Sequence, residues 1–192
     1  PAPAFQLVEA DAGHPDRAPR LSEAQWTKMI GHIQAIARLA FEKHGVRSVI
    51  HPHAGGYIEF EDEIRQLVRD IPHELAGLCL DTGHLYYSKM DPAQWLKEQA
   101  GRIDYVHFKD VDASVYAQVM NQKIAFFDAC AQGVMCPIGQ GHLDYPQIKQ
   151  VLEDIGYHGY VTIEQERDPR NADTSLRDVK ASLDYLKSIG FN

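Results

Sequence analysis

Four short runs in this 192-residue chain end in groups that bind metals or protons: Val49-Ile50-His51-Pro52-His53, Leu80-Asp81-Thr82-Gly83-His84, Val106-His107-Phe108-Lys109-Asp110 and Ile163-Glu164-Gln165-Glu166. Each begins apolar and turns polar, as a buried strand does where it reaches a functional surface. Alternation sorts the side chains. Tyr105, His107 and Lys109 share one face against Val106 and Phe108; Thr162, Glu164 and Glu166 oppose Val161 and Ile163; Cys79 and Asp81 oppose Leu78 and Leu80. If the apolar sets face covering helices, the polar sets converge, with His51, His53 or both joining them. Two carboxylates with one or two imidazoles make a mixed N/O set, suited to Mn²⁺, Co²⁺, Fe²⁺ or Zn²⁺ rather than to a soft metal. A lone inward His107 is more often a core histidine bonded to a carbonyl, but four strand ends built alike point to one mononuclear divalent site. Asp81 and Glu164 weigh most, because an inward carboxylate costs several kcal/mol unless a cation or donors compensate it.

The elements that hold these residues alternate. Phe5 to Ala10 reads as a strand and the Pro-punctuated stretch Asp11 to Arg20 as a loop. Ser22 with Gln25 forms a capping-box pattern, and Trp26, Met29, Ile30, Ile33, Ala37, Ala40 and Phe41 recur at helical spacing until Gly45. Then follow a strand over 46–53, a helix over 61–70, a strand over 76–81, a helix opened by Asp91-Pro92, a strand over 103–109 and a helix over 114–130. A short strand at 134–138, a helix over 145–155, a strand over 160–164 and a helix over 175–189 complete the order. Without a hairpin signal between apolar runs, the strands are expected to be parallel with right-handed crossovers. A (β/α)8 barrel uses about 31 residues per unit, so this length corresponds to about six units, the number counted. No Gly-x-Gly-x-x-Gly follows a strand, which removes support from a dinucleotide-binding sheet. The expectation is an α/β fold, a single TIM barrel domain over residues 1–192 covering about strands 3 to 8, with the first units missing; the start at Pro1 without Met fits a later part of something longer. Such a chain is expected to expose an unpaired strand edge.

Composition narrows the partners. Lys and Arg number 19 against 27 Asp and Glu, a net charge of −8, with a pI near 5.6, which opposes any partner bound through its phosphates. Apolar residues at 44% and charged residues at 24% suit a chain with one substantial core. No apolar run approaches the ~18 residues of a membrane span, and no signal-peptide pattern opens the chain. Cys79, Cys130 and Cys136 lack C-x-x-C spacing, so a reducing, cytoplasmic setting is the expectation, with Cys136 read as packing. His14, His32, His44, His73 and His158 read as surface residues without ionisable partners in pattern, and the charged helix 61–70 as a solvated face.

The four runs, in this order and spacing, resemble the xylose isomerase-like TIM barrel superfamily over residues 5–188. Its members include sugar isomerases and epimerases, inosose dehydratase and the endonuclease IV type of abasic-site nuclease. The resemblance implies a divalent metal ion (Mn, Co, Zn, Fe or Mg) held at the positions of His51, Asp81, His107 and Glu164. His51 departs from the Glu that many epimerases carry there; the His-Pro-His run is more similar to inosose dehydratase. The chemistry implied is enolisation of a keto-sugar or keto-inositol. Chelation through a carbonyl and a neighbouring hydroxyl acidifies the C–H between them, with Glu164 or His84 as base and Lys109 stabilising negative charge. Loss of a β-hydroxyl, assisted by His53 or His142, makes a dehydratase; return of the proton makes an isomerase or epimerase. Glu9, His53 and His142 are candidate substrate contacts. The partner is a small molecule rather than nucleic acid or membrane, and a homo-oligomer is left open. A nuclease is disfavoured, because no Asp-x-His lies between Val111 and Gln140. Cleavage of a keto-glycoside and a sugar-binding barrel without catalysis are the remaining alternatives.

Overall fold

The computed structural model describes residues 20–167 and 169–191. The first element, α1 (Glu23–His44), begins where the Ser22 side chain accepts from the Gln25 N–H and the Gln25 side-chain oxygen accepts from the Ser22 N–H. It stops at Gly45, whose φ of 64° lies in the left-handed region that glycine enters without strain. Its buried stripe is Trp26, Ile30 and Ala37, and the Trp26 indole donates to Asp70 at 2.6 Å. Next come β1 (Ser48–Ile50), α2 (Glu61–Asp70), β2 (Ala76–Asp81), α3 (Thr82–Tyr87) and α4 (Pro92–Glu98). Then β3 (Ile103–Phe108), β4 (Asp110–Val111), α5 (Ala113–Gln122), α6 (Phe126–Ala131) and β5 (Met135–Cys136) follow, and α7 (Tyr145–Asp154), β6 (Val161–Ile163) and α8 (Ser175–Ser188) close the order.

Four strands form a parallel sheet in the order β1-β2-β3-β6. Among the described residues β1 and β6 are its edges. The sheet and its surrounding helices make an α/β fold. Every residue of β2 is buried, as expected for a strand covered on both faces. Leu78, Leu80, Val106 and Phe108 supply the apolar side that packs beneath the helices. The register sets Asp81 opposite His107 and His107 opposite Thr162, and the Glu164 N–H bonds to the Phe108 carbonyl. Polar side chains of three strands therefore leave the sheet at one level.

The structure corrects the expectation of parallel strands throughout. Residues 134–138 do not enter the parallel sheet: Met135–Cys136 pairs antiparallel with Asp110–Val111, and β3 bonds directly to β6. Pro137 has no N–H to offer a ladder. The chain just beyond it is clasped by the Asp110 carboxylate, which accepts from the N–H groups of Gly139, Gly141 and Leu143 as well as Val111. The helix expected over 114–130 is two helices, parted where Lys123 takes φ 55°. Nor is 61–70 simply a solvated face, since Glu63 is buried and accepts from the N–H groups of Glu59 and Phe60. His73 does have an ionisable neighbour, Asp104, at 3.2 Å. Residues 5–10, Glu9 and His14 lie outside the described residues.

Candidate metal centre

Each side chain of the centre is set by its strand end. His51 follows β1, and its Nδ1 lies 3.2 Å from the Cys79 carbonyl, which turns Nε2 toward the cluster. The turn after it is held by Glu59, buried, which accepts from the Gly55 N–H at 2.8 Å and from Ser88 at 3.0 Å. Asp81 ends β2 and caps α3: Oδ1 accepts from the His84 N–H at 2.9 Å, leaving Oδ2 free to face inward. Thr82 ties β2 to the end of β3 through bonds with the Lys109 backbone and the Tyr145 hydroxyl. A Cβ at Gly83 would stand 2.7 Å from that of Lys109, so glycine admits the lysine stem there.

His51, Asp81, His107 and Glu164 each offer a ligand atom, and these atoms all lie within 4.8 Å of one another. Oδ2 of Asp81 and Nε2 of His51 are buried and have no hydrogen-bond partner. Such orphaned atoms are costly unless something else satisfies them. Burial pushes Asp81 above the ordinary carboxylate value and pulls His51 below the ordinary imidazole value. Two imidazole nitrogens and two carboxylate oxygens suit a divalent first-row metal. The residues fit the group.

Two other groupings share His51. The set with Cys79 and His107 is weaker, because burial pushes the Cys79 thiol up to about 12 and keeps it protonated. The set with His53 and His84 has its His84 Nε2 already 2.9 Å from the Lys109 ammonium.

Beside the cluster runs a second layer. The Lys109 side chain is fully buried; Nζ bonds to Glu166 at 3.0 Å and lies 3.6 Å from both Asp81 and Glu164. Burial alone would lower the Lys109 value, but Asp81, Glu166 and Glu164 outweigh it and keep the amine charged. Burial drives His84 well down, so its imidazole is neutral. His84 meets donors on both ring nitrogens, the Ala54 N–H at 3.3 Å and Lys109 at 2.9 Å. The shorter contact assigns the lone pair to Nε2. His53 packs against His84 with ring centres 3.7 Å apart and a 40° tilt, and its Nε2 is 3.2 Å from Glu166. Burial lowers the His53 value, yet the Glu166 bond more than restores it. The bond from His107 holds Glu164 down at about 2.

The structure does not bring His142 to this group. Its ring lies 5.4 Å from that of Tyr86, in a separate cleft with Asp91 and Asp144, because its N–H is bonded to the Val111 carbonyl. Glu166 is the participant that the sequence reading did not single out. The signal was there: it shares the face of Glu164, two residues back on the same strand direction.

Comparison with known proteins agrees with this architecture. A family model described as Xylose isomerase-like TIM barrel matches residues 4–189. The inosose dehydratase of Clostridium beijerinckii (strain ATCC 51743 / NCIMB 8052) is 32% identical over 170 residues, covering 88% of this chain and 57% of the relative. Among solved structures, the probable 3-DHS dehydratase AsbF of Bacillus anthracis superposes with a TM-score of 0.67 at 21% identity, over 87% of this chain and 58% of that one. The IOLI protein with a binding zinc atom superposes at 0.65 with 17% identity, over 90% and 59%. The chain thus spans a little over half the length of the curated relatives it matches. With nearly all of its residues matched by the family model, the chain belongs to the xylose isomerase-like TIM barrel family.

Proposed function

We propose that this chain carries the metal-binding part of an enzyme that enolises a keto-inositol or keto-sugar and then expels a β-hydroxyl as water. The observation that carries the reading is the convergence of His51, Asp81, His107 and Glu164 with two buried ligand atoms lacking hydrogen-bond partners. The likeness to inosose dehydratases favours the lyase over the isomerase or epimerase outcome.

Those four residues would hold a divalent cation, which would supply the positive charge that acidifies a C–H beside a carbonyl. The chain's own groups do the rest. Glu164, or neutral His84 once Lys109 releases its Nε2, takes the carbon-bound proton. Lys109, buried and charged, stands where it stabilises the negative oxygen that develops. His53, whose proton is favoured by Glu166, donates to the departing hydroxyl. One C–H and one C–O bond break, a C=C forms, and water leaves.

The test supplies keto-inositols and keto-hexoses with Mn²⁺ or Co²⁺ in D₂O. Deuterium entering beside the carbonyl together with a rising enone absorbance supports dehydration. Exchange without enone, with a new sugar formed, supports isomerisation instead. No exchange with any metal removes the enolisation reading and leaves a binding barrel. Loss of exchange in His84→Gln, with Mn²⁺ still bound, assigns the base to His84; retention assigns it to Glu164.

A further inference from the structure

Lys109 places a cation where the proposed metal belongs. Its Nζ is 3.6 Å from Asp81 Oδ2 and 3.6 Å from Glu164 Oε2, two oxygens of the ligand set. Attraction between unit charges at such a range is steep away from water, so an ammonium free to move would settle on these carboxylates and compete with any incoming ion. It is not free to move. Its two shortest polar contacts are with groups outside the ligand set, Glu166 Oε2 at 3.0 Å and His84 Nε2 at 2.9 Å. Glu166 is itself fixed at its other oxygen, Oε1, by His53 Nε2 at 3.2 Å. The stem of Lys109 is confined too, pressed against the space that Gly83 leaves open.

We propose that Glu166 is a positioning residue that tethers the Lys109 ammonium off Asp81 and Glu164, keeping both carboxylates available to a divalent cation. The proposal rests on the metal-centre reading above. It assigns Glu166 no contact with the ion. Its influence on the site passes through Lys109, which separates it from a residue that attracts cations merely by carrying negative charge.

A double-mutant cycle on Mn²⁺ affinity, measured by calorimetry or by the electron paramagnetic resonance of free Mn²⁺, tells these apart without any activity assay. Glu166→Gln in the otherwise unchanged chain is expected to weaken Mn²⁺ binding by about tenfold or more, the range seen when outer residues of metal sites are changed. Lys109→Met keeps the stem and removes the charge, and is expected to bind Mn²⁺ at least as tightly as the parent. In the Lys109→Met background, Glu166→Gln is expected to change the affinity by less than about twofold, and Glu166→Asp in the parent to recover part of the loss. Should Lys109→Met not fold, Lys109→Gln takes its place in the cycle. Equal losses in both backgrounds overturn the tether and leave a simple charge effect; so does a Lys109 variant that binds more weakly than the parent. Absence of Mn²⁺ binding by the parent chain overturns the metal centre itself, and the tether with it.

Discussion

Nδ1 of His107 lies 2.6 Å from Oε2 of Glu164, closer than two ligands of one ion stand, which is about 3 Å. A cation held by both residues would have to part this pair. Glu164→Gln keeps the shape but removes the anion. We expect Mn²⁺ affinity to fall by about 100-fold or more. The parent at 100 times its Kd should gain about 2.7 kcal/mol of stability, and the variant at the same Mn²⁺ concentration about 0.4 kcal/mol or less, as read by thermal melts with and without Mn²⁺.

Asp110 serves the fold rather than the cluster. Its carboxylate accepts from four backbone N–H groups, those of Val111, Gly139, Gly141 and Leu143, and it is fully buried. Asp110→Ala orphans all four. The expected loss is about 3 kcal/mol or more, seen as a lower urea midpoint at unchanged slope. A loss of less than about 1 kcal/mol would show the loop to be held by other means.

Acid should act through Asp178. Hydrogen bonds from Arg177 and then Arg167 hold its carboxyl below the usual carboxylate value. A carboxyl lowered on folding adds stability that is complete above its unfolded value near pH 4 and disappears as pH falls through the lower, folded value. Urea midpoints from pH 7 to pH 2.5 should thus fall less steeply below pH 4 in Asp178→Asn than in the parent. Parallel curves would contradict the assignment.

The Cys136 thiol is pushed up to about 12, first by burial and then by Asp110 and Asp112. Iodoacetamide at pH 8 should modify it two to three orders of magnitude more slowly than an ordinary thiol, with the rate still rising up to about pH 11. Mass spectrometry of the native chain over that range follows it. A plateau near pH 9 would mean that the thiol is ordinary.

The strand ends of the candidate metal centre were legible because alternation is a property of any strand, whatever surrounds it: Asp81, His107 and Glu164 share a side by count alone. Ser22 and Gln25 announced the first helix for the same local reason. What escaped was non-local. Segment 134–138 has strand-like residues, but its pairing is decided by Pro137 and by a carboxylate on another strand, Asp110. Glu63 looks solvated within its own helix, because the N–H groups that it satisfies belong to the turn before it. His142 closely follows the strand-like run 134–138 in sequence, yet its backbone is fastened to Val111 and its ring points to Tyr86.

The bond from the Glu164 N–H to the Phe108 carbonyl fixes which residues of the last strand look inward. A slip of one position there would present Ile163 and Gln165 in place of Thr162, Glu164 and Glu166, exchanging the cluster's anions for an aliphatic and an amide while leaving the composition untouched. The connection from Ile155 to Tyr160 is consequently constrained by its length more than by its residues: an inserted amino acid there threatens the chemistry more than most replacements would.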